Sequence, residues 1–288
     1  MKISEAFDLY KRNYMLVKGL SKRVLENQDY VRNRVVRVLG DIEIESLTMD
    51  DIARWAEQIQ TMRTRDGRIV ERKNNTIRND LIRMKMVLKY MRLLGHDVIE
   101  PDLIPIPKRE DVERPFLTAE EVEDMIKCAY CVRNAFIVSL FYSSGIRLSE
   151  LISLDRGSIQ NRQFQVVGKG RKARLCFIDK RTEDLMEEYL EERNDSSEAL
   201  IVSKMYKQRM TPSNVQLVIK NTAERAGITK KVTPHILRHS FATNFLQNNG
   251  NIRYLSTMLG HANVSTTTIY THVVDNDLRL QYLKFHTV

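Results

Sequence analysis

Four of the six prolines of this 288-residue chain lie in one stretch, EPDLIPIPKREDVERP, residues 100–115. Proline fixes φ and removes a backbone donor, so neither a helix nor an interior strand runs through such a segment. The chain is therefore expected to fold as two bodies. The residues before the prolines read as a helical domain over 1–100, followed by a linker over 101–114 and a second domain over 115–288. Just past the last proline, Thr118 and Glu121 have the spacing of a capping box, which opens the first helix of the second domain.

In the first body, MDDIARWAEQIQTMR sets Ile52, Trp55, Ala56 and Ile59 at helical spacing, with Asp50 or Asp51 as the cap. TIRNDLIRMKMVLKYMRLL is more strongly patterned. Ile77, Leu81, Met84, Leu88 and Met91 form an apolar stripe, and Arg78, Lys85, Lys89 and Arg92 run beside it. Between Thr61 and Arg92 ten Lys or Arg stand against three acidic residues, so much of the net charge of +9 sits in one segment. A helix buried on one side and basic on its flank suits a phosphate-lined groove, which makes those four cations candidate DNA-binding residues. A solvated basic face explains the same pattern and is the competing reading.

Composition excludes some classes. With 42% hydrophobic and 29% charged residues the chain has enough apolar material for a core. It contains no apolar run approaching the roughly 20 residues that cross a bilayer, and its first residues are charged where a signal peptide is apolar. Three cysteines make no disulfide framework, and Cys128 and Cys131 are expected to be small core thiols. The expected location is the cytoplasm, with no membrane partner.

The second body reads as helices plus one hairpin. QFQVVGKGRKARLCFI has two β-prone runs around Gly168-Lys169-Gly170, a tight-turn signal. Helices are expected at RTEDLMEEYLEER, PSNVQLVIKNTAERAG, PHILRHSFATNFLQ and IRYLSTML. The fold class is thus mainly α with a small β-hairpin in the second domain.

The chemistry-bearing residues cluster in that domain. Thr233 and Pro234 are a helix N-cap and first position, which puts His235 and Arg238 in the first turn, where free N–H groups and the helix dipole favour an anion. Arg147 precedes Glu150 by three, so a carboxylate can fix the planar guanidinium. Lys169 sits between two glycines that permit close approach to a ligand. His261 follows the helix terminator Gly260, and Ser265 can cap a helix that carries Tyr270. His235 and His239 are four apart, but Ile236 stands where a zinc hydrolase needs Glu, so no metal site is expected. No pair of carboxylates is placed to hold magnesium. Two arginines, a lysine, two histidines and a tyrosine are a set for metal-free phosphoryl transfer. A phenol, with its pKa of about 10, needs nearby cations and a base to attack.

The ordered motifs GIRLSEL, GKGRKARL, TPHILRHSFAT and LGHANVSTTTIYTH resemble the tyrosine recombinase/integrase family, most of all its Xer-type branch. The resemblance implies a two-domain DNA clamp, a helical core-binding domain followed by a catalytic domain. It implies that Arg147 and Arg238 hold the scissile phosphate, supported by Glu150, and that His235 and His261 serve in acid–base roles. Lys169, with Lys172 as the alternative, would protonate the leaving 5′-hydroxyl, and Tyr270 would form a 3′-phosphotyrosyl bond. The implied partner is double-stranded DNA at a specific recombination site, bound by a homo-tetramer across two sites, with a monomer or dimer when free. No cofactor is implied. The implied task is resolution of chromosome or plasmid dimers, in support of chromosome partition at cell division. Integration of a mobile element, strand relaxation like that of a type IB topoisomerase, and non-catalytic DNA binding are the alternatives. The segment DNDLRLQYLKF (275–285) is a candidate for docking on a neighbouring subunit, or else a terminal helix folded on its own domain.

Overall fold

The computed structural model describes residues 1–63, 68–72, 74–110, 115–168 and 173–260. The chain divides into two compact units, Met1–Val112 and Glu113–Val288.

The first unit holds α1 (Ile3–Tyr10), extended by a π-helical turn over Lys11–Leu16, then α2 (Lys22–Leu39) and α3 (Met49–Gln58). A hairpin of β1 (Thr61–Arg63) and β2 (Ile69–Glu71) leads into α4 (Asn74–Leu93). The expected apolar stripe of α4 is buried: Met84, Leu88 and Met91 are wholly inaccessible, and Ile77 and Leu81 nearly so. Trp55 of α3 and Phe7 of α1 belong to the same core.

Three features of this unit depart from the sequence reading. Thr48, not Asp50 or Asp51, caps α3, and its hydroxyl accepts from the N–H of Asp51. Asp51 completes a capping box by accepting from the N–H of Thr48 at 3.0 Å. Residues 61–63, expected to continue that helix, form a strand instead. The third is the proline stretch, whose described residues 100–110 include a 3₁₀ turn, Pro101–Leu103, and Ile104, buried with Val98 in the first unit's core.

The second unit comprises α5 (Ala119–Lys127), α6 (Val132–Ser144), α7 (Leu148–Ser153), β3 (Gln163–Val167), β4 (Ala173–Phe177), α8 (Lys180–Glu191), α9 (Pro212–Arg225), α10 (Pro234–Gln247) and α11 (Ile252–Leu259). Thr118 and Glu121 form the expected capping box. The core is organised on α6, which touches α5, α8, α9 and α10. None of its residues is exposed, as befits a helix surrounded by others; Phe136 through Leu140 are all buried. Cys128 and Cys131 sit at the two helix caps between α5 and α6 and are half-buried rather than part of the core.

β3 and β4 pair antiparallel as expected, with Val167 opposite Ala173. That register leaves five residues, 168–172, between the strands, more than a tight turn holds. Among the described residues no helix is long and apolar enough to cross a membrane.

Candidate active site

Gly145 ends α6 in the left-handed conformation, at φ +61. The chain turns there so that Arg147 becomes the N-cap of α7 while Glu150 lies in its first turn. Glu150 accepts twice from Arg147: from the backbone N–H through Oε2 and from Nη1 through Oε1, both at 2.8 Å. The capping interaction and the guanidinium support are thus one carboxylate's work, and the i, i+3 spacing foresaw the pair.

Glu150 also receives a second arginine that the motif analysis did not single out. Arg174 of β4 donates Nη1 to Oε1 at 2.6 Å and Nη2 to Oε2 at 2.7 Å, a bidentate fork. Both side chains are 6% exposed. Burial alone would raise the carboxyl pKa. The hydrogen bonds from Arg174 and then from Arg147 outweigh it and hold Glu150 at about 2.

Arg238 reaches the same place from α10. Its helix starts as expected, with Thr233 accepting from the N–H of Ile236 and Pro234 in the first turn. Arg238 is buried, donating Nη1 to the carbonyl of Gly145 at 2.6 Å and Nη2 to that of Leu259 at 2.7 Å. Arg147 Nη2 donates to the same Leu259 oxygen at 3.2 Å, and Arg174 Nε donates to the carbonyl of Met258 at 2.7 Å. Three guanidiniums therefore meet the carboxyl end of α11, where the helix dipole is negative. Gly260 closes that helix at φ +63, and a Cβ there would stand 2.9 Å from Arg174 Cδ.

The structure thus brings Arg147, Glu150 and Arg238 together. His235, exposed in the first turn of α10, precedes Arg238 by three residues. Lys169, Lys172, His261, Tyr270, Ser265 and the 275–285 segment lie outside the described residues. Among the described residues no three of His, Cys, Asp or Glu converge as metal ligands.

The α4 cations stand in the first unit, and three of the four carry acidic partners among the described residues. Lys85 and Lys89 both reach Asp102, at 2.8 and 3.0 Å, and Arg92 reaches Glu100 at 2.8 Å. Arg78 is half-buried on the same helix. Exposed pairs of this kind are worth about 0–1 kcal/mol each and open readily.

Gly145 gives a direct check on the arginine geometry. A Cβ there would lie 2.5 Å from Phe241 Cδ1, at a φ that L-residues avoid. Gly145→Ala is expected to destabilise by about 2–4 kcal/mol, combining backbone strain with overpacking. Denaturant unfolding measures the loss, and an unchanged midpoint would contradict the left-handed turn.

The chain matches the phage integrase family over residues 115–277, a span that includes all six candidate catalytic positions. It is 35% identical over 201 residues to the tyrosine recombinase XerD of Oceanobacillus iheyensis, covering 65% of this chain and 67% of that one. A crystal structure of XerA recombinase aligns over 99% of this chain and 98% of the other, with 26% identity and a TM-score of 0.54. A lambda integrase tetramer bound to a Holliday junction shares the fold, with a TM-score of 0.75 and 17% identity over 91% of this chain and 78% of that one. This protein belongs to the phage integrase family and is a tyrosine recombinase of the Xer type.

Proposed function

We propose that this protein cuts and rejoins double-stranded DNA at a specific site, with Tyr270 as nucleophile and the Arg147–Arg238 pair as the clamp on the scissile phosphate. The observation that carries the reading is the convergence of both guanidiniums on one oxygen, that of Leu259. Two fixed arginines within reach of a single oxygen are the donors a phosphodiester needs as charge builds on its non-bridging oxygens. Each such donor is worth roughly 10²–10³ in rate.

In this scheme the phenol gives its proton to a histidine, His235 or His261, as its oxygen attacks phosphorus. The bond to the 5′-oxygen breaks, and Lys169, or Lys172 in its place, protonates that oxygen. The product is a 3′-phosphotyrosyl ester and a free 5′-hydroxyl. Attack by a 5′-hydroxyl reverses every step and reseals the strand, with the ester conserving the bond, so no nucleotide is consumed. Glu150 works earlier, by holding Arg147 flat and pre-aimed.

The likeness to Xer-type tyrosine recombinases supports site-specific recombination, and resolution of chromosome or plasmid dimers is the task assigned to it. The lambda integrase tetramer on a Holliday junction supports a homo-tetramer as the DNA-bound form. Arg78, Lys85, Lys89 and Arg92 are assigned to DNA backbone contact by the first unit.

A nicked duplex carrying a candidate recombination site tests the chemistry. Incubated with the protein in EDTA and run on a denaturing gel, it is expected to give a covalent protein–DNA band. Restoration of an EDTA-abolished band by magnesium would overturn the metal-free route.

A further inference from the structure

Resting on the recombinase reading above, we propose that Arg174 is a positioning residue of the reaction. It ties the lysine-bearing hairpin to the Arg147–Glu150 pair and to the carboxyl end of α11.

β4 is built against the usual logic of burial. Its inward positions are Arg174, 8% exposed, and Cys176, while Leu175 and Phe177 stand outward at 40% and 46% exposure. An amphipathic strand ordinarily does the reverse, since arginine is among the residues least often buried. Shifting the register by one would bury the leucine and phenylalanine, yet the structure buries the guanidinium. Stability does not account for that choice, because a buried ion pair is often replaceable by apolar side chains of the same volume without loss. Local rules broken in this way are typical of functional sites.

The hydrogen bonds show what the placement achieves. The fork to Glu150 takes one lone-pair direction from each carboxylate oxygen and leaves the others for Arg147. Arg174 therefore fixes the rotation of the carboxylate that in turn fixes Arg147. Its Nε donates to the Met258 carbonyl, one residue before the Leu259 oxygen shared by Arg147 and Arg238. Backbone connectivity supplies the third link, because β4 is the return strand of the hairpin whose connection includes Lys169. The absent side chain at Gly260 leaves room for Arg174 Cδ, so this close approach is built into both partners. Lysine, a point charge without a planar fork, cannot make the two carboxylate bonds and the carbonyl bond together.

The test compares wild type with Arg174→Lys on the nicked duplex, with protein in excess so that every DNA is bound. Three quantities are read: the single-turnover rate of adduct formation, the Kd for the same DNA and the melting temperature. Arg174→Lys is expected to slow adduct formation about 100-fold, the cost of misplacing a catalytic group by about 1 Å, with Kd changed less than threefold. In a Glu150→Gln background the same substitution is expected to slow the reaction clearly less than 100-fold further, since one of the arginine's links, the fork to that carboxylate, is already weakened. Arg174→Gln serves the same comparison should the lysine variant not fold. A wild-type rate in Arg174→Lys would overturn the proposal. So would a loss confined to melting temperature or Kd, or a full 100-fold loss repeated in the Glu150→Gln background. A wild type that forms no adduct at all would instead remove the recombinase reading, and the role of Arg174 with it.

Discussion

Tyr270→Phe is expected to bind its DNA site as wild type does and to form no covalent adduct, a fall in cleavage of about 10⁴-fold or more. The substitution removes one oxygen and leaves the ring, so packing and charge are nearly unchanged. What is lost is the oxygen proposed to become the ester. Arg147 keeps its bonds to Glu150, and Arg147 and Arg238 both keep theirs to the Leu259 carbonyl. Filter binding and a denaturing gel on one duplex separate the two properties. An adduct in the phenylalanine variant would mean that another side chain is the nucleophile.

Glu150→Ala is expected to lower stability by about 3–5 kcal/mol, because it strands the buried guanidinium of Arg174 without its counter-charge. For a unit of this size that corresponds to roughly 10 °C in melting temperature. Cleavage should fall as well, since Arg147 loses its only carboxylate among the described residues. Acid gives a second signature. The folded pKa of Glu150, about 2, lies below the usual glutamate value of 4.5. The unfolded chain therefore takes up the proton first as pH falls. The stability the group contributes is complete above about pH 4.5 and is lost on the way down to about 2. A shift of that size amounts to about 3 kcal/mol. The gap between wild type and Glu150→Ala should narrow over that window in chemical denaturation, and a gap independent of pH would contradict the assignment.

Legibility in the sequence followed the range of the interaction. The cap at Thr233 and Pro234 and the box at Thr118 and Glu121 involve neighbours three residues apart, and both were readable letter by letter. So was the pairing of Arg147 with Glu150. The short hairpin of β1 and β2 was not, because Ile69 and Val70 are exposed and three-residue strands carry no alternation to detect. The prolines marked where helices stop, but said nothing of Val98 and Ile104 entering the first unit's core. Arg174 was hidden for a stronger reason. In ARLCF the alternation points to Leu175 and Phe177 as the inward residues, and only the partner 24 positions away, Glu150, reverses it. The one clue was a positive charge within a run otherwise suited to a buried strand.

The ion pairs of α4 bear on how the first unit meets a polyanion. Lys85, Lys89 and Arg92 carry counter-ions that are part of the chain itself, Asp102 and Glu100. A phosphate arriving there displaces a tethered carboxylate instead of freeing a dissolved anion. The swung-out carboxylate stays within a few ångströms and goes on competing, as a built-in inhibitor at fixed local concentration. Stray single anions gain little against such a competitor, whereas a duplex that engages several cations at once overcomes it. On the assignment of α4 to DNA backbone contact, the acidic residues of the proline segment would thereby set a threshold of valence for that contact.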